Sequence, residues 1–260
     1  MFVASVPNSD RKVVLRSLKR EFLADAKKRQ TFETEIEFLQ KIRNAQIPAY
    51  RDSCLEDQEC LIVMDYVPGN NLAVLIEESR ESATFFTPKF IFETFDQICA
   101  LLEYLHDYEE GGCHNAIVHG DIKPRNILVA PDNKIYLIDF SVAMHYDPNK
   151  KITGGTYRYM SAEMYAGFAP SPQSDLFGAM LVLYEMLMLQ PLIREKTLGA
   201  IFGYLLSGEH LQEIKRMRLR KPLEELLLKG LAPKPENRFS SAKKMAEAAR
   251  EFSYTVPPSS

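Results

Sequence analysis

One stretch, His119-Gly120-Asp121-Ile122-Lys123-Pro124-Arg125-Asn126, concentrates polar chemistry ahead of the apolar run Ile127-Leu128-Val129. Thirteen residues after Asn126 stands a second aspartate, Asp139, followed by Phe140 and Ser141. Asp121 and Asp139 bring carboxylates, Asn126 an amide oxygen and Lys123 an ammonium group. Carboxylate and amide oxygens are what a hard cation such as Mg²⁺ binds. A carboxylate can also accept the proton of an attacking hydroxyl, and a lysine can neutralise charge on a transferred group. An isolated His-Gly-Asp tripeptide would carry little, since His and Asp often cap turns. The weight lies in the whole set at this spacing.

These groups need elements to bring them together. Asn126 to Val129 and Ile135 to Ile138 read as short strands, joined by the hairpin-type turn Ala130-Pro131-Asp132-Asn133-Lys134. That hairpin returns Asp139 to the loop at Asp121. Nearer the start, Val13-Val14-Leu15 and Leu61-Ile62-Val63-Met64 read as strands. Between them, Gln30 to Arg43 has helical periodicity, with Ile47-Pro48 marking its exit. Pro68-Gly69-Asn70-Asn71 is a turn cluster and a natural seam. Beyond it a helix is expected from Thr87 to His106, then a loop at Glu109-Glu110-Gly111-Gly112. Leu176 to Leu189 is apolar nearly all round, as in a helix inside a core. The rest, to about Phe252, reads as helices, and Val256 to Ser260 as a frayed tail.

Taken in order, these residues resemble a protein kinase domain of the serine/threonine branch. His119 to Asn126 is similar to the catalytic loop H-R-D-x-K-x-x-N, and Asp139-Phe140-Ser141 to D-F-G. Gly155-Thr156-Tyr157-Arg158-Tyr159-Met160-Ser161-Ala162-Glu163 resembles G-T-x-x-Y-M-A-P-E. Asp175 resembles the aspartate that opens the family's central buried helix. Arg238 resembles the late arginine that pairs with the glutamate of the earlier motif, so an ion pair Glu163–Arg238 is predicted. Glu35, within Phe32 to Leu39, resembles the inward glutamate of the small-lobe helix. Val13-Val14-Leu15-Arg16 stands where the family has V-A-I-K, and Met64-Asp65-Tyr66-Val67 resembles the hinge. The likeness runs from about Phe2 to Ala249.

The resemblance implies an α+β fold of two lobes, a small β-rich one and a larger, mainly helical one. The kinase domain is expected over 1–252, with the small lobe at 1–64, the hinge at 65–71, the large lobe at 72–252 and a short tail at 253–260. It also implies ATP and Mg²⁺. Asp121 would be the catalytic base, Lys123 the neutralising cation, and Asn126 and Asp139 the metal ligands. Arg16, Glu35, Met64, Asp65, Tyr66, Val67 and Asn71 would form the nucleotide site. Backbone groups of the hinge would hold the adenine, with Met64 at the back of the pocket. Strand parity puts Val14 and Arg16 on one face. Lys12 shares that face but lies about 13 Å back along the strand, and Lys19 has the opposite parity. Both stand as alternatives to Arg16.

Three departures from the family pattern bear on activity. No glycine precedes Gly69, so the glycine-rich loop G-x-G-x-x-G is absent from these residues. Phe2-Val3-Ala4 resembles the strand after that loop. The chain is therefore expected to lack the first strand and to bind nucleotide weakly. Arg16 stands for lysine, a larger planar fork in place of a point charge. Gly120 stands for the arginine that grips a phosphate on the activation segment, so Thr153 is not expected to be a phosphorylation switch. Ser141 for glycine is milder.

The 260 residues suffice for one domain of two lobes. The chain is 46% hydrophobic and 26% charged, with net charge −3, so no nucleic-acid or membrane partner is expected. Cys54, Cys60, Cys99 and Cys113 show no C-x-x-C spacing, so reduced thiols in a cytoplasmic or nuclear protein are expected. The leading function is a serine/threonine protein kinase of reduced activity, acting on a protein substrate. One alternative is a pseudokinase that binds a protein partner as a scaffold. Another is a small-molecule phosphotransferase, which the H-G-D of Gly120 fits but the segment Gly155 to Glu163 does not.

Overall fold

The computed structural model describes residues 2–7, 9–56, 58–150 and 154–253. Strand β1 (Phe2–Ser5) pairs antiparallel with β2 (Lys12–Ser17), Phe2 opposite Leu15. Helix α1 (Ala26–Lys41) follows, then β3 (Tyr50–Leu55) and β4 (Cys60–Asp65). The four strands form one sheet in the order β1-β2-β4-β3. The two segments rich in Val, Ile and Leu are its inner pair, as suits strands packed on both edges. β3 is mostly polar and half exposed along YRDSCL, so its sequence carried no strand signal.

Asp25 caps α1, its carboxylate accepting the N–H groups of Lys27 and Lys28 at 2.9 and 3.1 Å. The helix buries Phe32, Ile36, Phe38 and Leu39, with Glu35 on the same side. It stops at Lys41, short of the expected Arg43 and well before Ile47-Pro48. Ile42 has already turned to extended backbone at φ −66° and ψ 131°, although its N–H still reaches the Phe38 carbonyl.

After this sheet come β5 (Asn70–Asn71), α2 (Leu72–Glu81) and α3 (Pro88–His106). Thr87 caps α3 and Pro88 opens it, where a missing N–H costs nothing. The expected loop at 109–112 is instead the turn of a small hairpin, β6 (Glu109–Glu110) with β7 (Cys113–His114). Gly111 and Gly112 supply the two left-handed residues such a turn needs, at φ 62° and 79°. The short strands β8 (Ile117–Val118), β9 (Ile127–Val129), β10 (Ile135–Leu137) and β11 (Met144–His145) follow. β9 lies between β10 and β5, and β8 pairs with β11.

Then come α4 (Ala162–Tyr165), α5 (Pro172–Met188), α6 (Leu198–Ser207), α7 (Glu209–Arg216), α8 (Lys221–Gly230) and α9 (Ala242–Ser253). α5 is the axis of the helical lobe. Every residue from Ser174 to Tyr184 is buried, and α3 and α8 pack against it. Ser171 and Ser174 close a reciprocal capping box at its start. Thr153, and the tail from 254 on, lie outside the described residues. Among the described residues no helix is long and apolar enough to cross a membrane, and the four cysteines form no disulfide.

The ion pair Glu163–Arg238 is present and bidentate, at 2.7 and 2.8 Å. Arg238 also donates to the carbonyls of Ala232, Gln173 and Pro233, and its guanidinium lies 4.8 Å from the Phe177 ring centroid. Burial alone would push Glu163 up, but Arg238 holds its carboxyl below the ordinary range. Removing one partner strands a buried charge. Glu163→Ala should therefore lower stability by about 3–5 kcal/mol in urea unfolding. A loss under about 1 kcal/mol would show the pair to be dispensable.

Candidate active site

The loop after β8 is hung from α5. The Asp175 carboxylate accepts the backbone N–H groups of His119 and Gly120, each at 2.8 Å, and lies 3.1 Å from His106 Nε2. Gly120 is left-handed, at φ 75°, and a Cβ there would stand 3.3 Å from the Val142 carbonyl oxygen. The backbone thus accounts for glycine at this position. The His119 ring is buried, edge-on to Phe140 at 5.0 Å.

Asp121, so presented, is buried and fully engaged. Oδ1 accepts the Thr156 N–H at 2.9 Å. Oδ2 accepts Lys123 Nζ and, at 3.1 Å, Asn126 Nδ2. Lys123 Nζ also reaches Thr156 Oγ1 at 2.6 Å. Asn126 uses its amide nitrogen in these bonds, donating to the Asp121 carbonyl as well. Its backbone carbonyl accepts the Ile138 N–H at 2.9 Å, which ties the loop to the residue before Asp139.

Asp139 is left-handed too, at φ 68°, an uncommon conformation for a residue with a side chain. Its Oδ1 accepts Arg16 Nη1 at 3.0 Å, and the same nitrogen is paired with Glu35 Oε1. Arg16 from β2, Glu35 from α1 and Asp139 after β10 therefore form a single charge cluster across the two lobes. Lys12 lies instead over the Tyr66 ring, and Lys19 beside Glu21 at the surface. Neither replaces Arg16 in the cluster. Glu35 is 1% exposed, and burial pushes it up to about 7 against the pull of Arg16. Burial works the same way on Asp139, but Arg16 and the Ser141 hydrogen bonds outweigh it and hold the carboxyl below its ordinary range.

A cleft of about 340 Å³ opens above this cluster, lined by Val14, Arg16, Met64, Leu128, Ile138 and Asp139 among others. Asp65, Tyr66, Val67 and Asn71 also line it. The segment expected to be the hinge is less free than its sequence suggests. Asp65 N–H is bound to the Ala49 carbonyl and Tyr66 N–H to that of Lys12, at 2.9 and 3.2 Å. The Asp65 carboxylate is turned to Arg51. Val67 N–H alone among these three makes no hydrogen bond with the described residues. The Asn71 side chain caps α2 through the Val74 N–H.

Every expected site residue thus falls in one of three places: the Asp121 cluster, the Arg16 cluster or the cleft wall. His106 was missed, because a histidine ending an apolar helix stripe looks like any core residue. So was the bond from the Tyr159 hydroxyl to Glu185 at 2.7 Å.

Two expectations follow. Asp175→Asn puts an N–H₂ group where two N–H donors converge, so stability should fall by about 1–3 kcal/mol, with the His119 and Gly120 amide resonances displaced. Unmoved resonances would show that the loop is held by other means. Glu35 binds a proton more tightly folded than unfolded. Its contribution is full below about pH 4.5 and lost as pH rises through about 7. The denaturation midpoint should decline over that window, and Glu35→Gln should flatten the decline.

Comparison with known proteins agrees with this geometry. The family model for the protein kinase domain matches residues 3–250. The chain is 26% identical over 245 residues to the serine/threonine-protein kinase PknH of Mycobacterium tuberculosis, covering 92% of this chain and 37% of that protein. It is 28% identical over 191 residues to PknB of the same organism, covering 71% of this chain and 29% of that one. To the probable serine/threonine-protein kinase nek2 of Dictyostelium discoideum it is 30% identical over 169 residues, covering 64% of this chain and 40% of that protein. The chain spans two fifths or less of the length of these relatives. With its two-lobed fold and a match over nearly its whole length, the chain belongs to the protein kinase domain family.

Proposed function

We propose that the chain transfers the γ-phosphoryl group of ATP to a serine or threonine hydroxyl of a protein. The observation that carries this reading is the Asp121–Lys123–Asn126–Thr156 cluster, joined by one backbone bond to the strand end bearing Asp139 and the Arg16–Glu35 pair. In this reading residues 65–71 serve as the hinge. Adenine lies against Met64, with the Val67 N–H as its donor, and the phosphates extend towards Arg16. Asp121 accepts the proton of the incoming hydroxyl through its carboxylate. Lys123, shared between Asp121 and Thr156, balances charge on the transferred group. The oxygens of Asn126 and Asp139 suit Mg²⁺, which commonly takes one or two protein carboxylates and completes its shell with phosphate and water. When bound, that ion would neutralise phosphate charge. An intracellular setting fits the unpaired cysteines.

Phosphate transfer by the 260-residue chain to a serine-rich protein acceptor tests this. Asp121→Asn should slow it by about 10²-fold or more, while the thermal stabilisation by Mg-ATP is retained. Undiminished transfer would remove Asp121 from its role.

A second reading is favoured by one contact. The Arg16 guanidinium is already on Asp139 Oδ1, the carboxylate a metal would need. A nucleotide-binding scaffold with little turnover fits that arrangement. Equal stabilisation by ATP in Mg²⁺ and in EDTA, with no transfer, would select it. A small-molecule phosphotransferase is disfavoured by the Glu163–Arg238 pair.

A further inference from the structure

A second cavity, of about 680 Å³, adjoins the cleft and shares Asn71 with it. Its walls come from α2, the segment Lys123 to Arg125, the segment Thr156 to Tyr159 and the end of α5. Four cationic side chains line it, Arg80, Lys123, Arg125 and Arg158, against two acids, Glu77 and Glu185. Most of this charge is spent locally. Arg80 is paired with Glu77 one turn away on α2, and Lys123 with Asp121. Glu185 accepts the Tyr159 hydroxyl, and burial pushes it up from the ordinary carboxylate value.

Arg125 and Arg158 remain. Both are exposed, and neither makes an ion pair or side-chain hydrogen bond with any described residue. Both lie near enough to the Tyr159 hydroxyl to act on it electrostatically, and Arg158 acts on the Glu185 carboxylate as well. Each is two residues beyond a partner of the catalytic aspartate, Arg125 after Lys123 and Arg158 after Thr156. The 2.6 Å bond between those partners holds the two arginines on neighbouring walls. An unpaired guanidinium at the surface is well hydrated, but its planar fork matches a carboxylate with two parallel hydrogen bonds. Two such forks beside the base form a charge filter for whatever polypeptide brings its hydroxyl there.

We propose that this groove takes an acidic polypeptide segment, with aspartate or glutamate flanking the hydroxyl that faces Asp121, and that Arg125 and Arg158 select it. The position of the hydroxyl rests on the kinase reading, but the charge selection needs no turnover.

The test is fluorescence anisotropy of the 260-residue chain with short labelled peptides. Each peptide carries one serine flanked by aspartates, alanines, arginines or phosphoserines. The aspartate peptide should bind about ten-fold more tightly than the alanine peptide, with a preference that weakens as salt is added. Arg125→Gln with Arg158→Gln should abolish the preference, and lysine at both positions should restore part of it by keeping the charge. Thermal unfolding of the variants should match the parent, since both positions are exposed. Equal binding of all peptides, preference for the arginine peptide, no measurable binding, or a preference that survives the double glutamine change would each overturn the proposal. Binding confined to the phosphoserine peptide would overturn the carboxylate assignment. Phosphate transfer measured in parallel separates the two readings. A preserved preference without transfer would sink the kinase reading and leave the groove assignment standing.

Discussion

The Asp175 carboxylate is the point on which the site depends. Two consecutive backbone N–H groups, of His119 and Gly120, would be buried without partners if it were absent. Hydrogen bonds to a charged group contribute about 1.5–3 kcal/mol each, and buried donors left unpaired cost a similar amount. Asp175 is itself enclosed, because α5 is buried on all sides around it. The loop also rests directly on that helix. A Cβ at Gly178 would stand 3.0 Å from the Ile122 carbonyl oxygen, so only glycine lets the two approach this closely. Asp121 therefore inherits its position from the buried central helix.

From that fixed point, rigidity passes outward by hydrogen bonds. Asn126 holds Asp121 through its side chain and the strand before Asp139 through its carbonyl. Arg16 then gathers Asp139 and Glu35, which come from different lobes. A lysine would present a compact charge at this place, whereas the guanidinium offers a fork. The geometry of the small lobe is thereby coupled to the charge state of Asp139. Burial raises Glu35 while Arg16 keeps Asp139 low, so the two carboxylates titrate in different pH ranges although one nitrogen touches both.

The two cavities divide the work along the same line. The cleft is bounded by apolar side chains from β2, β4 and β9, with the Val67 N–H unbonded among the described residues. The groove beside it mixes polar and apolar walls and is edged by arginines. Asn71 stands between them, its side chain spent on capping α2, so the wall common to both is held by a helix start.

Residues close in the chain are legible in the sequence alone. His119 to Asn126 occupy a single loop, and the hairpin spacing returned Asp139 to it, because local turns and period-two strands are set by neighbouring residues. The polar β3 and the two-glycine hairpin turn were not legible. One carries no apolar pattern, and the other reads equally well as a loop. The end of α1 was expected two residues late, because the periodicity continues past the point where Ile42 turns to extended backbone, and its first turn from Ala26 carries no apolar stripe to reveal it.

By itself, then, the sequence determined which chemical groups are available, their order, and the strand face that Arg16 shares with Val14. Only the tertiary structure decided their partners. Arg16 and Asp139 are 123 residues apart, and no local rule brings them to 3.0 Å. Packing the small sheet and α1 against the large lobe does so, and that packing depends on buried apolar surface drawn from the whole chain. The same holds for the Asp65 and Tyr66 amides taken up by Ala49 and Lys12, and for the two arginines left over beside Asp121. Charge content is a property of composition, but which charges remain unpaired is settled only by three-dimensional proximity.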